Sequence, residues 1–400
     1  MRSTWSFSSA GQIVFGSGAI SQLPDHLGRL KLSRVLIVTD EVLVKVGLVD
    51  TVRGAIGSAA EIEVFSGGEP EPSLRVADAC VAAAREFRPD GLIGLGGGSN
   101  MDLAKIAAAA LAHSGSPRDY LGEDKVPGPV LPHIAIPTTA GTGSEVSAAG
   151  VFTDEENHIK AGAMSNYLRP AVALVDPKLT LSCPRKVTAD SGIDALTHAI
   201  EAFTAVDFQA FPLPPGQTSV YQGRHPLGDC LAETAIKLIG ANLKTAVNEP
   251  QNLAAREAMS LAAMLAGLAF SNVGVALVHA LEYPIGAATH CSHGEGNGLL
   301  LPYVMRYNLP VRQKEFAQVA DLLSADTDGM SEQHAAECAI GAVEELNRAI
   351  GIRSRLSELG AKREQLPEFA EKALGIARIV RVTPRVPTVP EMIELLNGAY

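Results

Sequence analysis

A change in hydrophobic pattern near Asp176-Pro177 constrains the fold of this chain more than any other feature. Before this point, short aliphatic runs alternate with segments that have the 3.6-residue apolar period of helices. After it, long Ala- and Leu-rich helical patterns follow and no convincing strand is present. Strand–helix alternation indicates a doubly wound, mostly parallel sheet, and a run of helices indicates an all-α region. The sequence therefore predicts a Rossmann-like α/β domain, residues 1–177, followed by an all-α domain, residues 178–400.

The strands predicted before this boundary are short and several are almost continuously apolar, as strands covered on both faces are. They are Gln12–Phe15, Arg34–Thr39, Glu61–Phe65, Gly91–Leu95, His133–Ile136 and Ala171–Asp176. The predicted helices are Ser73–Phe87, Asp102–His113, Ala189–Phe203, Leu227–Val247, Leu253–Leu281, Pro310–Leu323, Ser331–Ile350 and Pro390–Asn397. A stretch rich in Pro, Gly and Gln, Phe208–Pro226, predicts an extended surface excursion between two helices.

Composition excludes several classes of protein. A chain of 400 residues with 46% hydrophobic content is long enough for two cores, and its net charge of -11 argues against a nucleic-acid or anionic-membrane surface. The five cysteines have no paired spacing, which is typical of free thiols in a reducing compartment. The N-terminal residues lack the pattern of a signal peptide, so we expect a cytoplasmic protein. The apolar segment Leu261–Leu281 contains Ser, Asn and His, which favours a buried helix over a membrane span.

Four side chains in the helical half form a candidate metal site. Asp194 and His198 are four residues apart in a predicted helix, so they share one face. Such a pair alone is more often a surface contact, but His279 and His293 follow. One carboxylate and three imidazoles suit Fe(II), Zn(II) or Co(II).

The segment between the last two histidines contains Pro284 and Gly286. These residues predict a break in any helix there, which would let the chain fold back toward the same point.

Two polar loops follow predicted strands and form a candidate nucleotide site. Gly94–Ser99 closes an apolar strand and opens a helix, where backbone N–H groups can bind a diphosphate. Pro137–Glu145 follows another strand and offers several hydroxyls. Loops after parallel strands lie at the edge of the sheet where ligands bind. Gly-x-Gly-x-x-Gly is absent, and a structural tight turn is the alternative for the first loop.

Asp40 ends a third predicted strand. A carboxylate at this position is typical of a residue that accepts hydrogen bonds from ribose hydroxyls. The alternative is that Asp40 caps the N-terminus of the next helix.

These segments together resemble the iron-containing (group III) alcohol dehydrogenase family, and they occur in the family's order over most of the chain. The matching segments are Val14–Gly16, Gly96–Ser99 with Asp102 and Lys105, Pro137–Glu145, Lys160, Asp176-Pro177, Gly192–Glu201, His279 and His293-Gly294. The resemblance implies an N-terminal dinucleotide-binding domain and a C-terminal helical domain, with the metal in the cleft between them.

Individual roles follow from the same resemblance. The metal ligands it implies are Asp194, His198, His279 and His293. The cofactor-binding residues it implies are Asp40, Gly96, Gly97, Gly98, Ser99, Asp102, Thr138, Thr139, Thr142, Ser144 and Lys160. Of these, Asp40 stands where the family prefers a carboxylate for NAD, and Lys160 matches a lysine near the nicotinamide ribose.

This chain departs from the family pattern at three places. Asn100 stands where Pro is common, and the Phe208–Arg224 excursion is longer than the usual link. Tyr283 occupies a position that is His in several members, so the catalytic proton would pass through Tyr283, His290 or a water chain. Because Tyr283 precedes Pro284, we expect its backbone to be extended.

The resemblance implies reversible hydride transfer between NAD(H) and a small alcohol or aldehyde, or a hydroxy acid or keto acid. The metal, Fe(II) with Zn(II) possible, would act as a Lewis acid on the substrate oxygen. We expect no nucleic-acid or membrane partner and a homodimer or larger homo-oligomer. Phe152, Phe270 and Val275 are candidates for an apolar pocket wall, with plain core as the alternative.

Two other functions stay open at this stage. One is a non-redox lyase of the dehydroquinate-synthase kind, which also uses NAD and a metal but takes polyanionic substrates. The near absence of basic residues from the helical motifs disfavours it. The other is a non-catalytic nucleotide sensor, which would have no use for four metal ligands.

Overall fold

The computed structural model describes residues 2–156, 159–213 and 219–400. Its strands are β1 (Gln12–Phe15), β2 (Arg34–Val38), β3 (Glu61–Phe65), β4 (Gly91–Gly96), β5 (Gly122–Glu123), β6 (His133–Pro137), β7 (Ala149–Asp154), β8 (Ile159–Met164) and β9 (Val172–Val175). The helices of the first half are α1 (Leu23–Leu30), α2 (Glu41–Lys45), α3 (Leu48–Ile56), α4 (Leu74–Phe87) and α5 (Gly98–His113). Those of the second half are α6 (Arg185–Thr204), α7 (Pro226–Asn248), α8 (Leu253–Val273), α9 (Leu277–Thr289), α10 (His293–Asn308), α11 (Gln313–Leu322), α12 (Glu332–Ile350), α13 (Leu366–Leu374), α14 (Ala377–Val380) and α15 (Val389–Ala399).

The main sheet is parallel, with strand order β1-β9-β6-β4-β2-β3. Alternate side chains of β2 point to opposite faces, so Leu36 packs in one core with α4 and α5 while Val35 packs in another with α1 and α3. This is the predicted doubly wound α/β architecture, and the helical second half is also confirmed. Because β2, β4 and β6 are neighbours, the loops after their carboxyl ends lie side by side.

A second, three-stranded sheet was not predicted from the sequence. Its order is β5-β8-β7, with β7 antiparallel to β8 and β5 parallel to it. The β8 sequence, Ile-Lys-Ala-Gly-Ala-Met, contains one β-branched residue and no clear alternation. Such strands are specified by their pairing partners rather than by local propensity, which explains why the pattern missed them.

The prediction of one helix over Leu253–Leu281 is wrong. The chain forms α8 and α9, and the break falls at Gly274, whose φ of 124° ends α8. The Glu201 carboxylate then accepts hydrogen bonds from the backbone N–H groups of Ala276 and Val278 at the start of α9. A buried acceptor at this point therefore stabilises a new helix N-terminus, which no local apolar pattern could reveal.

The predicted break at Pro284 and Gly286 is also wrong. Helix α9 continues through Pro284 to Thr289, so Tyr283 is helical rather than extended. Proline removes one intrahelical hydrogen bond, but every residue of Leu277–Gly286 is buried, and this packing favours the continuous helix. The chain reverses instead at His290, which has a φ of 55°.

The chain forms two compact units. One contains Ser8–Cys183, and the other contains Tyr221–Tyr400 together with the helix α6 and the N-terminal residues up to Phe7. The assignment of one domain to the cofactor and the other to the metal stays a prediction. The ends of the predicted excursion are paired, since Phe208 N–H donates to Arg224 O and Gln222 N–H to Asn272 O. Its central part, residues 214–218, lies outside the described residues.

One helix in the described part of the chain, α8, is long and apolar enough to cross a membrane. In this structure 67% of its most apolar window is buried inside the protein. The core helix of a globular protein passes the same test of length and composition, and the burial of α8 fits that case.

Candidate metal centre and nucleotide-binding loops

The predicted metal ligands come together around the buried carboxylate of Asp194. His198 Nδ1 lies 3.9 Å from Asp194 Oδ2, and His279 Nε2 lies 3.9 Å from Asp194 Oδ1. His293 Nε2 lies 3.8 Å from Asp194 Oδ1. The tightest group is Asp194, His198 and His279, which each offer a ligand atom within 4.8 Å of the others. Three of the four predicted ligands therefore form a compact buried cluster from α6 and α9, and His293 of α10 approaches it through Asp194.

This donor set fits a divalent transition metal. Zn–N and Zn–O bonds are about 2.0–2.2 Å, so neighbouring ligand atoms of a tetrahedral site are separated by about 3.3–3.6 Å. The nearest imidazole–carboxylate separations, 3.8 and 3.9 Å, are slightly longer than this, and the ligand atoms of Asp194, His198 and His279 all lie within 4.8 Å of one another. One anionic oxygen with three imidazole nitrogens is also suitable for iron.

Two further carboxylates orient the histidines. Glu201 Oε2 lies 2.7 Å from His279 Nδ1, and Glu282 Oε2 lies 2.5 Å from His293 Nδ1. A carboxylate at Nδ1 favours the tautomer in which Nδ1 carries the proton, which leaves the Nε2 lone pair directed at the metal position. These carboxylate–histidine pairs are the usual outer support of a metal site, and they strengthen its assignment.

Asn297 is the fifth polar side chain at this point. Its Nδ2 lies 2.8 Å from Asp194 Oδ1, 3.2 Å from His279 Nε2 and 3.1 Å from His293 Nε2. The residue is fully buried in α10, four positions after His293. The Asn297 amide therefore contacts three of the predicted ligand atoms and contributes to holding them close together.

Glu201, Glu282 and Asn297 are not among the predicted site residues, although their spacing in the sequence is a signal for them. Glu201 follows Asp194 and His198 at helical spacings of seven and three, so it lies on the same face of α6. Glu282 follows His279 by three residues, and Asn297 follows His293 by four. A search for polar residues on the ligand face of each helix would have found all three.

Electrostatics keep the central carboxylate charged. Burial raises the pKa of Asp194, but the neighbouring imidazoles of His198, His293 and His279 and the hydrogen bond from Asn297 together lower it by more. The net pKa of Asp194 lies below its ordinary value. An ionised carboxylate is the form that a metal ligand requires.

Aromatic side chains enclose the ligands. The ring of Phe270 stacks on His198 with a centroid distance of 4.1 Å, and the rings of Tyr283 and His293 are 6.2 Å apart. Phe270 and Val275 are both buried in the helical unit, and their role as pocket wall stays a prediction. Phe152 instead belongs to the core of the α/β unit, the alternative that the sequence left open.

The glycine loop at the carboxyl end of β4 presents helix N–H groups. Gly97 is the N-cap of α5 with no side-chain cap, and Gly98 and Ser99 form the first turn. The second loop packs against it, since a Cβ on Gly98 would meet the Thr142 side chain at 3.0 Å. Thr139 lies beside Gly97 and Thr138 N–H donates to Gly96 O. The two predicted loops are thus adjacent, and uncapped N–H groups there suit a diphosphate.

Asp40 lies beside this loop and caps α2. Its Oδ1 accepts a hydrogen bond from Leu43 N–H at 3.0 Å, and its Oδ2 accepts one from Asn100 Nδ2 at 2.7 Å. The capping alternative from the sequence is therefore observed. Each oxygen has a second lone pair, so capping leaves Asp40 able to accept from a ribose hydroxyl.

Asp102 and Ser144 hold the second loop from within. Asp102 Oδ1 accepts from Ser144 Oγ at 2.6 Å, and Asp102 Oδ2 accepts from Val151 N–H at 3.0 Å. Lys105, fully buried, donates to Ser144 Oγ at 2.7 Å and to Ala149 O at 2.7 Å. Burial lowers the pKa of Lys105 to about 8. These contacts indicate that Asp102 and Ser144 support the loop rather than face solvent.

Lys160 Nζ forms an ion pair with Glu71 at 3.0 Å. Glu71 has a φ of 51°, which a residue with a side chain rarely adopts. Its N–H donates to Ser99 Oγ and its carbonyl accepts from Thr153 Oγ1. Glu71 thus connects the glycine loop to β7 and β8, a role that the sequence analysis missed.

Both halves of the chain match models of one protein family. Residues 10–177 match the family model for iron-containing alcohol dehydrogenase, and residues 219–400 match that for the C-terminal part of the Fe-containing alcohol dehydrogenase family. Long-chain-alcohol dehydrogenase 1 of Geobacillus thermodenitrificans is 40% identical over 389 residues, which cover 94% of this chain and 93% of that protein.

Solved structures extend the match to the whole fold. A 1,3-propanediol oxidoreductase has a TM-score of 0.93 at 35% identity and covers 99% of this chain and 100% of its own. Sulfoacetaldehyde reductase from Bifidobacterium kashiwanohense, solved in complex with NAD+, has a TM-score of 0.85 at 31% identity, with 100% and 99% covered. The chain therefore belongs to the iron-containing alcohol dehydrogenase family.

Proposed function

We propose that Asp194, His198, His279 and His293 hold the iron of this protein and that the loops after β2, β4 and β6 hold NAD. The chain is an NAD-dependent oxidoreductase that interconverts alcohols and aldehydes, and its family uses iron. The proposal concerns which residues perform this reaction and on which class of alcohol they act.

The observation that supports the metal assignment most strongly is the placement of three imidazoles around one buried carboxylate. Their nitrogens lie 3.8 to 3.9 Å from the Asp194 oxygens, and two of the rings face a second buried carboxylate at Nδ1. A cluster of plain core histidines would have no need for this outer support.

When bound, the metal supplies Lewis-acid polarisation of the substrate oxygen. Glu201 and Glu282 hold His279 and His293 in the tautomer that directs Nε2 inward. Phe270 covers one face of His198 and limits access of water to that side.

Proton transfer in the oxidation direction is assigned to the hydroxyl of Tyr283. Its ring is buried and lies 6.2 Å from the ring of His293. The unperturbed pKa of tyrosine is about 10, so Tyr283 would pass a proton through hydrogen bonds rather than act as a free base.

The substrate class follows from the charge of the segments that hold the ligands. Residues 192–201 and 271–293 contain neither Lys nor Arg. A polyanionic substrate would require such cations, so this favours a small uncharged alcohol and its aldehyde over the substrates of a dehydroquinate-synthase-like lyase.

A screen of NADH oxidation tests the proposal. The protein is loaded with Fe(II) or Zn(II), the bound metal is quantified by elemental analysis, and small aldehydes and keto acids are compared. We expect uncharged aldehydes to be reduced with stoichiometric loss of NADH, and keto acids to react at least tenfold more slowly. Rapid turnover of keto acids, or conversion of substrate without net loss of NADH, would contradict the proposed substrate class.

A cytoplasmic location remains a prediction from sequence features, and a homodimer or larger homo-oligomer remains a prediction of the resemblance. Fractionation of cells and the molar mass in solution test them directly.

A further inference from the structure

We propose that Asn100 sets cofactor choice by locking the carboxylate of Asp40 in place. This inference rests on the proposed function, in which Asp40 accepts from the adenosine ribose of NAD. Asn100 would not touch the reacting atoms, so it is a positioning residue. Sequence analysis noted Asn100 only as a departure from a common proline.

Both hydrogens of the Asn100 amide are used to hold two neighbouring elements. Nδ2 donates to Asp40 Oδ2 at 2.7 Å and to Leu95 O, the carbonyl at the end of β4, at 3.0 Å. Only 2% of Asn100 is exposed, so water does not compete for these bonds. The end of β2 and the glycine loop after β4 are thus joined through one side chain.

The glycines around Asn100 show that the site is built for its amide. A Cβ on Gly68 or on Gly96 would overlap the Asn100 carboxamide. Gly96 also has a φ of 143°, a conformation that favours glycine. The amide therefore lies between two backbone segments that leave it little room to turn.

The carboxylate of Asp40 is consequently fixed at both oxygens. Oδ1 accepts from Leu43 N–H and Oδ2 from Asn100 Nδ2. A fixed carboxylate offers its second lone pairs to a ribose diol without first losing side-chain entropy. The Asp40 carboxylate also cannot rotate away from the 2′-phosphate of NADP(H). Repulsion between these two negative charges therefore weakens the binding of NADP(H).

The test compares dissociation constants of NADH and NADPH for the metal-loaded protein at pH 8, measured by fluorescence titration. The variants are Asn100→Ala, Asn100→Leu, Asp40→Ser and the double variant Asp40→Ser/Asn100→Ala. Asn100→Leu is close to asparagine in size, donates no hydrogen bond and adds no charge, so it remains informative if the alanine variant folds poorly. Serine at position 40 can still cap α2. Asn347→Ala is the matched control, because Asn347 is buried and donates to Gly298 O in the helical unit.

We expect Asp40→Ser to lower the preference for NADH by roughly 100-fold and Asn100→Ala by roughly tenfold, with a similar loss in Asn100→Leu, which also removes the donor to Asp40. In the Asp40→Ser background, Asn100→Ala should change the preference by less than about twofold, because the residue acts through Asp40. In steady state, the loss should fall on the KM for NAD rather than on kcat. Asn347→Ala should lower the melting temperature without changing the preference.

Three outcomes would overturn the inference. If Asp40→Ser shifts the preference but neither Asn100 variant does, Asn100 has no positioning role, while the proposed role of Asp40 stands. If Asn100→Ala keeps its effect in the Asp40→Ser background, Asn100 acts on the cofactor by another route. If Asp40→Ser has no effect, the proposed role of Asp40 is wrong and the inference is wrong with it.

Discussion

The metal centre and the glycine loop obtain their binding properties by opposite means. The metal centre uses charged and polar side chains from α6, α9 and α10, and its ligands are distributed from Asp194 to His293 in the sequence. The glycine loop uses backbone N–H groups of Gly98 and Ser99, which are adjacent. Function therefore depends on the identity of individual side chains in the first region and on the shape of the backbone in the second.

This difference also determines how each region is stiffened. At the metal centre, Glu201 and Glu282 fix the rings of the histidines by charged hydrogen bonds. At the glycine loop, close packing fixes the backbone, since side chains such as Asn100 and Thr142 occupy the space that a Cβ would need. Removal of one side chain should therefore do far more damage at the metal centre than at the loop.

The largest effect is expected for Asp194→Ala. This change removes the anionic oxygen around which the three imidazoles are arranged, so bound metal should fall to traces and kcat by roughly a thousandfold or more. NADH should still bind with nearly its original dissociation constant, because the glycine loop belongs to the other unit. Elemental analysis, turnover and fluorescence titration measure the three quantities. Near-normal turnover in protein stripped of metal would refute the ligand assignment.

Glu201→Gln should have the next largest effect. The amide cannot accept from both backbone N–H groups and His279 Nδ1 as the carboxylate does, so metal affinity should fall about 10–100-fold. Glu282→Gln is the matched variant at the His293 pair. Both should weaken metal binding in competition with a chelator, but Glu201→Gln should also lower the melting temperature more, because Glu201 stabilises the start of α9. Equal melting temperatures would show that the cap contributes little.

Tyr283→Phe tests the proton route within the metal centre. If the hydroxyl relays the proton, kcat should fall roughly tenfold or more, with unchanged metal content. The loss should be greatest at low pH in the oxidation direction. The pH–rate profiles of the two proteins provide the measurement, and identical profiles would leave Tyr283 as a packing residue and shift attention to His290 or water.

The smallest effect concerns the pH dependence of stability, to which a buried histidine in each of the two units contributes. Each contains a buried histidine, His133 and His225, and burial lowers the pKa of each to about 4 from 6.5. As the pH falls, the unfolded chain protonates these two histidines before the folded chain does. Their contribution to the free energy of unfolding is therefore present in full above pH 6.5 and is lost as the pH falls toward 4. The ring of His225 stacks on Trp5 and accepts from Gly228 N–H, which requires the neutral form.

His225→Asn keeps an acceptor at this cap but cannot be protonated in this range. When the pH is lowered from 7 to 5, the melting temperature of the variant should fall by a few degrees less than that of the wild type. His133→Gln is the corresponding change in the α/β unit. If neither variant flattens the pH dependence, other groups cause the acid sensitivity.

The main sheet was predictable because its strands are local runs of apolar residues. All six strands of the main sheet lie where the sequence placed them, to within a residue or two. The boundary at Gly274 and the continuity of α9 through Pro284 were not predictable from the sequence. They depend on a carboxylate from α6 and on burial along α9. Local propensity is weaker than these tertiary interactions.

By itself, the sequence determined the fold class, the family and the identity of the four proposed ligands, because these depend on residue types at fixed spacings. Only the tertiary structure decided which side chains support them. Glu201, Glu282 and Asn297 reach the ligands, and Asn100 reaches Asp40, through contacts between residues that are 4 to 103 positions apart. Helical spacing marks Glu201, Glu282 and Asn297 as candidates, but only the fold shows which group each contacts, because packing and hydrogen bonding select partners by distance in space.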